Sequence, residues 1–241
     1  PSGAWARLLD TKGSSLPATT VEACGVVSGG SCPYHKRGLF LLAAHFWGVL
    51  GSKAVNGFTT MKIVVTIKQV IDPEMPASAF SIDPTSLRVT APPNIAPVVN
   101  GFDEQAMEAA LRIREAGNDT EITVLSAGSE FIMDVVKKPL AMGADALVLV
   151  EDTSLSNDPD PSPIVDTLAA AIHKLGDVDL VLAGRQASDW DNAQVAIGVA
   201  EALRWPVITL ARRVDIDGRT VRVERAQILP VAVQARGRSL A

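Results

Sequence analysis

Residues 184–195 read GRQASDWDNAQV. This stretch gathers polar side chains between two apolar runs, DLVLAG and AIGVAEAL. Asp189 and Asp191 are spaced D-x-D, an arrangement that suits a divalent metal or an acid pair. Arg185 can clamp an anion. Ser188 and Gln194 add side-chain hydrogen bonds, and Asp191 or Asn192 is placed to cap a helix. Backbone N–H groups at such a helix start are unpaired and carry partial positive charge, so the stretch also suits a phosphate. Metal, acid pair and nucleotide are all open on spacing alone, as is the plain reading of Asp189 and Asp191 as solvated loop residues. Trp190 in a polar loop marks a contact surface.

The rest of the chain offers little reactive chemistry. Both cysteines, Cys24 and Cys32, and two of the three histidines, His35 and His45, lie before residue 61. Beyond that point His173 is the sole histidine, and its place late in a helix suits the C-terminal carbonyls. A zinc site, a disulfide framework and a thiol nucleophile are therefore excluded from most of the chain. Neither G-x-x-x-x-G-K-[ST] nor G-x-G-x-x-G after the first strand is present. The net charge of −5 argues against nucleic acid as a partner. No apolar run is long enough for membrane insertion. A cytoplasmic protein is expected.

The elements that position these residues follow from hydrophobic period. KIVVTIKQV, starting at Lys62 after Met61, is a β-branched run of the kind found in strands buried on both faces. A Pro-rich stretch over 71–100 has no period. FDEQAMEAALRIREAG has apolar residues at helical spacing (Phe102, Ala106, Ala109, Ala110, Ile113), acids first, Arg112 and Arg114 late, and Gly117 as a stop. Asn100 or Asp103 can cap this helix. EITVLSA reads as a strand, 130–142 as a helix that Pro139 kinks or starts, and ALVLV as a strand. A helix over 163–175, the strand VDLVLAG, a helix over 192–204 and the strand VITLA follow. RRVDIDGRTVRVER alternates around Asp217-Gly218, a hairpin signal. Strands alternating with helices predict an α/β fold, a doubly wound, mostly parallel sheet with helices on both faces and a small hairpin near the C-terminus. Ligands bind along the strand C-terminal edge of such sheets. Three loops fall there: the one ending at NGFDE (100–104), SAG (126–128), and 184–195.

These blocks carry a resemblance. MKIVVTIKQVID, NGFDEQAMEAALRIRE, LAMGAD and DLVLAGRQASDWDNAQV, in this order, resemble the beta (small) subunit of electron transfer flavoproteins, including the Fix-type relatives. The resemblance runs from Met61 to about Arg225 and implies an adenine-nucleotide-binding, HUP-like domain. It implies a heterodimer whose alpha subunit carries a redox-active FAD. It also implies a structural AMP in the beta site, or a second FAD there in bifurcating members. Electrons would pass from acyl-CoA or other dehydrogenases to a quinone oxidoreductase or another acceptor, with no catalytic residue in this subunit. By position, the resemblance places the nucleotide contacts at Thr66, Asn100, Gly101, Phe102, Asp103, Ala127, and the run Gly184, Arg185, Gln186, Ala187, Ser188, Asp189, Trp190, Asp191, Asn192, Ala193, Gln194 and Val195. Gly101 stands where the family's NPF motif has proline. The rival readings are an adenine-nucleotide-binding enzyme or stress-type module of the same architecture, and a remnant that binds nothing.

The flanks depart from the pattern. Residues 1–60 show no sustained period. Their one apolar run, LFLLAAHFWGVL after Lys36 and Arg37, has the character of a signal-peptide core with no start close upstream. They are expected to be a non-native or disordered extension, with Met61 the true start. The domain is expected over 61–225. The tail 226–241, AQILPVAVQARGRSLA, keeps a trace of the family's next strand and is expected to lack its partner-recognition loop and C-terminal arm.

Overall fold

The computed structural model describes residues 5–10, 19–20, 60–85, 89–90, 94–155, 160–218, 220–226 and 232–235, the first two segments and the last one by backbone alone. The signal-like run over 39–50 and most of the tail lie outside the described residues. In chain order the strands are β1 (Trp5–Asp10), β2 (Thr19–Thr20), β3 (Met61–Thr66), β4 (Gln69–Val70), β5 (Ser81–Ile82), β6 (Val89–Thr90), β7 (Val98–Val99), β8 (Thr120–Gly128), β9 (Ala146–Glu151), β10 (Leu180–Ala183), β11 (Ala211–Asp217), β12 (Thr220–Arg225) and β13 (Ala232–Ala235). The helices are α1 (Gly101–Glu115), α2 (Met133–Val136), α3 (Lys138–Met142), α4 (Ser162–Leu175) and α5 (Val195–Leu203).

The main sheet runs β10-β3-β8-β9-β1-β2. Its first four strands are mutually parallel, and β1 pairs antiparallel with β9 over six residues. Within 1–60, β1 and β2 thus form one edge of this sheet. Among the parallel strands the chain order across the sheet is fourth, first, second, third. The winding direction thus reverses between β3 and β10. That reversal is the switch point at which open α/β sheets leave a crevice at the strand C-terminal ends.

Side chains alternate across β3. Ile63 and Val65 face one layer with Met107, Ala110 and Ile113 of α1, while Val64 faces the other with Leu168 and Ile172 of α4 and Val199 of α5. Both faces are covered, which is why the strand reads as an unbroken apolar run. Along α1 the buried set is Asp103, Ala106, Met107, Ala110 and Ile113, so Asp103 and Met107 take the inward places expected of Phe102 and Ala109.

Two aspartates fix the sheet register at its N-terminal end. Asp145 donates its N–H to the carbonyl of Ile122 (2.9 Å), and its carboxylate accepts the N–H of Ile122 (2.7 Å). Asp179 repeats the arrangement on Lys62, at 2.9 and 2.8 Å. Burial pushes the Asp179 carboxyl up, against the lowering effect of the Lys62 N–H. The MGAD and VDL blocks are thus strand-entry clamps.

Four expectations need correction. The helix expected over 130–142 is two short ones, α2 and α3, broken at Lys137 with Pro139 near the start of the second. A proline there has no N–H to give to the preceding turn. The helix expected from 192 begins at Val195, because Asp191 and Ala193 adopt left-handed φ values of 52° and 53°. Its cap position is Gln194, with no side-chain cap bond, so neither Asp191 nor Asn192 caps it. VITLA forms no strand: Leu210 takes φ 57° and only Ile208 makes an isolated bridge. The chain continues instead into the predicted hairpin, β11 and β12, turning through Gly218 at φ 57°, with β13 added antiparallel on β12.

Candidate functional site at the sheet's switch point

A cleft opens where β3 and β10 diverge. Its floor is Thr66 and Ala183, the last residues of these strands, with Ala127 from β8. One wall is the 184–196 loop and the start of α5. Adjoining it are Ile67, Lys68, Asn100 and Asp103. A third wall comes from Leu155 and from Asp160, Pro161, Ile164 and Leu168 at the start of α4.

Asp103 ties the two strand ends together. It is buried, and its carboxylate accepts the N–H of Lys68 at 2.7 Å and the N–H of Gly184 at 3.1 Å. Burial raises its pKa to about 7, although both backbone N–H groups, the Asn100 side chain and the Lys68 charge pull it down. Gly184 must be glycine here. A Cβ at this position would lie 2.1 Å from Asp103 Oδ1 and 2.9 Å from both Asp103 N and Phe102 C. Asn100 sits at the N-cap position of α1, but its side chain does not cap the helix. Its amide donates to the carbonyl of Gln186 (2.8 Å) and its Oδ1 accepts the N–H of Ser188 (3.3 Å). The NGFD block therefore braces the 184–195 loop.

The D-x-D pair serves the same bracing. Lys68 Nζ contacts Asp189 Oδ2 at 2.6 Å. Gln186 donates to Asp191 Oδ1 at 2.6 Å, and Asp191 N–H donates to the carbonyl of Ala187 at 2.9 Å. No cluster of three or more His, Cys, Asp or Glu side chains placed for a metal exists among the described residues. The Arg185 guanidinium lies 4.6 Å over the Phe102 ring, a cation–π contact. Ser188 Oγ is buried with no partner among the described residues.

Of the residues predicted from the sequence, Thr66, Asn100, Asp103, Ala127, Gly184, Arg185, Gln186, Ala187, Trp190, Asn192, Ala193, Gln194 and Val195 line the cleft. Gly101, Phe102, Ser188, Asp189 and Asp191 do not line it and stand behind it. Trp190 is 44% exposed at the rim. The third wall was missed. Its Leu155, Ile164 and Leu168 carry no signal except apolar character, which any core residue shares. Lys68, two residues past the end of β3, also lines the cleft and was not among the predicted contacts. No helix of the described residues is long and apolar enough to cross a membrane.

A parallel sheet wound in both directions, with a cleft at its reversal and a loop pinned around it, defines a doubly wound α/β domain with its cleft where such folds seat ligands. Residues 94–227 match the family model for the electron transfer flavoprotein domain, and the chain belongs to that family. It is 39% identical over 173 residues to the electron transfer flavoprotein subunit beta of Megasphaera elsdenii, covering 68% of this chain and 61% of that one. It is 38% identical over 168 residues to the caffeyl-CoA reductase-Etf complex subunit CarD of Acetobacterium woodii, again 68% and 61%. It is 34% identical over 172 residues to protein FixA of Azorhizobium caulinodans, covering 68% and 59%. The chain thus spans about three fifths of the length of these relatives.

Proposed function

We propose that this chain is the nucleotide-holding beta subunit of an electron transfer flavoprotein, with 61–225 as its binding domain. The cleft holds AMP as a structural ligand. The chain pairs with an alpha subunit that carries FAD, whose flavin supplies reversible electron transfer when bound. Electrons enter from acyl-CoA or other dehydrogenases and leave to a quinone oxidoreductase or another acceptor, in the cytoplasm. The chain itself contributes binding, not bond-making.

The observation that carries this reading is the pinned loop at the switch point. Gly184 through Val195 wraps one side of the cleft, and α5 begins at its end, so backbone N–H groups are available to an anion. The third wall, with Leu155, Pro161, Ile164 and Leu168, is largely aliphatic, suited to the flat faces of a base. Lys68 and Arg185 are the cations that line the cleft. Among the described residues Asp103 and Asp160 are its carboxylates, and no histidine or cysteine lines it. Asp103 is occupied by two backbone N–H groups, which favours holding a ligand over transforming one.

The test is to co-express the chain with its alpha partner, purify the pair, and release and identify its nucleotides by chromatography. One AMP and one FAD per heterodimer are expected. Two FAD and no AMP would replace the structural-AMP assignment with a bifurcating one. Protein without any nucleotide would overturn the reading.

A further inference from the structure

We propose that Lys68 is the cleft's anion-recognising side chain, kept in reserve by Asp189 and handed over to a ligand phosphate on binding. This rests on the nucleotide reading above. Lys68 lines the cleft, whereas Asp189 stands outside it, and their ion pair spans from the end of β3 to the 184–195 loop. The Lys68 backbone is immobilised on both sides: its N–H is held by Asp103 and its carbonyl accepts the N–H of Asn100 at 2.9 Å. Only the side-chain torsions are left to move, so Nζ swings between loop and cleft without disturbing the fold.

The exchange is favourable on physical grounds. An ion pair open to solvent is worth little, and this one is partly open, through Lys68, whose side chain is 35% exposed against 15% for Asp189. A phosphate offers more charge and more acceptor oxygens to the same ammonium group. The other cation of the cleft, Arg185, is already stacked on Phe102. Pairing with Asp189 keeps Lys68 extended toward the loop and lowers apparent affinity by the fraction of time it spends there.

The experiment is calorimetric titration of the full chain with AMP and, separately, with adenosine, which lacks the phosphate. Lys68→Met should weaken AMP binding about tenfold and adenosine binding less than about twofold. Asp189→Asn should raise the ratio of AMP to adenosine affinity about threefold by freeing Lys68, whatever it does to the loop that both ligands share. The double variant should show the same ratio as Lys68→Met alone. Equal weakening of AMP and adenosine by Lys68→Met would make the pair a mere loop strut and overturn the inference, as would a ratio lowered by Asp189→Asn. A wild-type chain that binds neither AMP nor adenosine would overturn the nucleotide reading, and this inference with it.

Discussion

Gly184→Ala is a substitution of one methyl group placed where the cleft is most tightly built. The new Cβ would sit 2.1 Å from Asp103 Oδ1 and 2.9 Å from two backbone atoms of the α1 start. Carbon and oxygen normally stay more than about 3 Å apart, so the carboxylate must leave. Its hydrogen bond from the Gly184 N–H is then lost, costing about 1.5–2 kcal/mol for an acceptor of this kind. The backbone contacts at 2.9 Å cannot be relieved by a rotamer change, and such overpacking costs a further 1–3 kcal/mol, roughly. The sum, about 2.5–5 kcal/mol, lowers the melting temperature by about 10 °C for a domain of this size. Differential scanning calorimetry at pH 7.5 reads it directly. In an Asp103→Ser background the same substitution should cost about half as much, since the carboxylate is gone but the backbone contacts stay. A melting temperature within about 2 °C of wild type, or an undiminished cost in the Asp103→Ser background, would show that the Asp103–Gly184 approach does not hold the cleft together.

Asp103 should make stability pH-dependent in the direction opposite to an ordinary salt-bridged carboxylate. Its folded pKa of about 7 lies above the ordinary aspartate value of 3.8, so the folded state holds the proton more tightly. The contribution is fully present below about pH 4 and is lost as pH rises through 7. Relative to Asp103→Asn, the wild type should lose on the order of 4 kcal/mol across that window, measured by urea denaturation at each pH, and parallel curves would refute it. Gly101→Pro should stabilise by about 0.5–1 kcal/mol. Gly101 is the first residue of α1, a Cβ there meets nothing within 4 Å, and the preceding Asn100 (φ −54°, ψ 125°) already adopts a backbone that tolerates a following proline. A lower melting temperature would contradict that. Arg114→Met should destabilise by about 1–2 kcal/mol, the loss being discounted for partial exposure. Arg114 donates to the carbonyls of Gly143 (2.8 Å) and Thr120 (3.2 Å) and pairs with Asp145, joining α1 to the entry of β8 and β9. Unchanged chemical denaturation would show these bonds to be replaced by water.

The parallel sheet and the faces of its helices are legible because their signals are local. A strand buried on both faces must read as a continuous apolar run, and Ile63, Val64 and Val65 do so. What is not legible arises where backbone conformation or tertiary contact overrides period. Nothing in the residue types of Asp191, Ala193 and Leu210 forces a left-handed φ. Yet those three residues delay α5 and abolish the strand expected at VITLA. Asp103 is the converse case. At the start of a helix an aspartate is ordinarily read as a cap or a dipole partner on the solvent side. Here it turns inward, and the sequence carries no mark of the two N–H groups, 35 and 81 residues away, that it receives.

The same override explains what the D-x-D spacing could and could not say. Two carboxylates one residue apart signal a shared metal only if both face one point, and here they diverge. Asp189 reaches outward to Lys68, while Asp191 turns back to Gln186 of its own loop. Both carboxylates are engaged in holding the loop's shape, and neither lines the cleft. A loop braced this way would offer a ligand a preorganised backbone, with the same donors whatever side chains surround it. Specificity for charge then has to come from a side chain that can move, and Lys68, fixed at its backbone and tethered at its tip by an exchangeable partner, is placed to provide it.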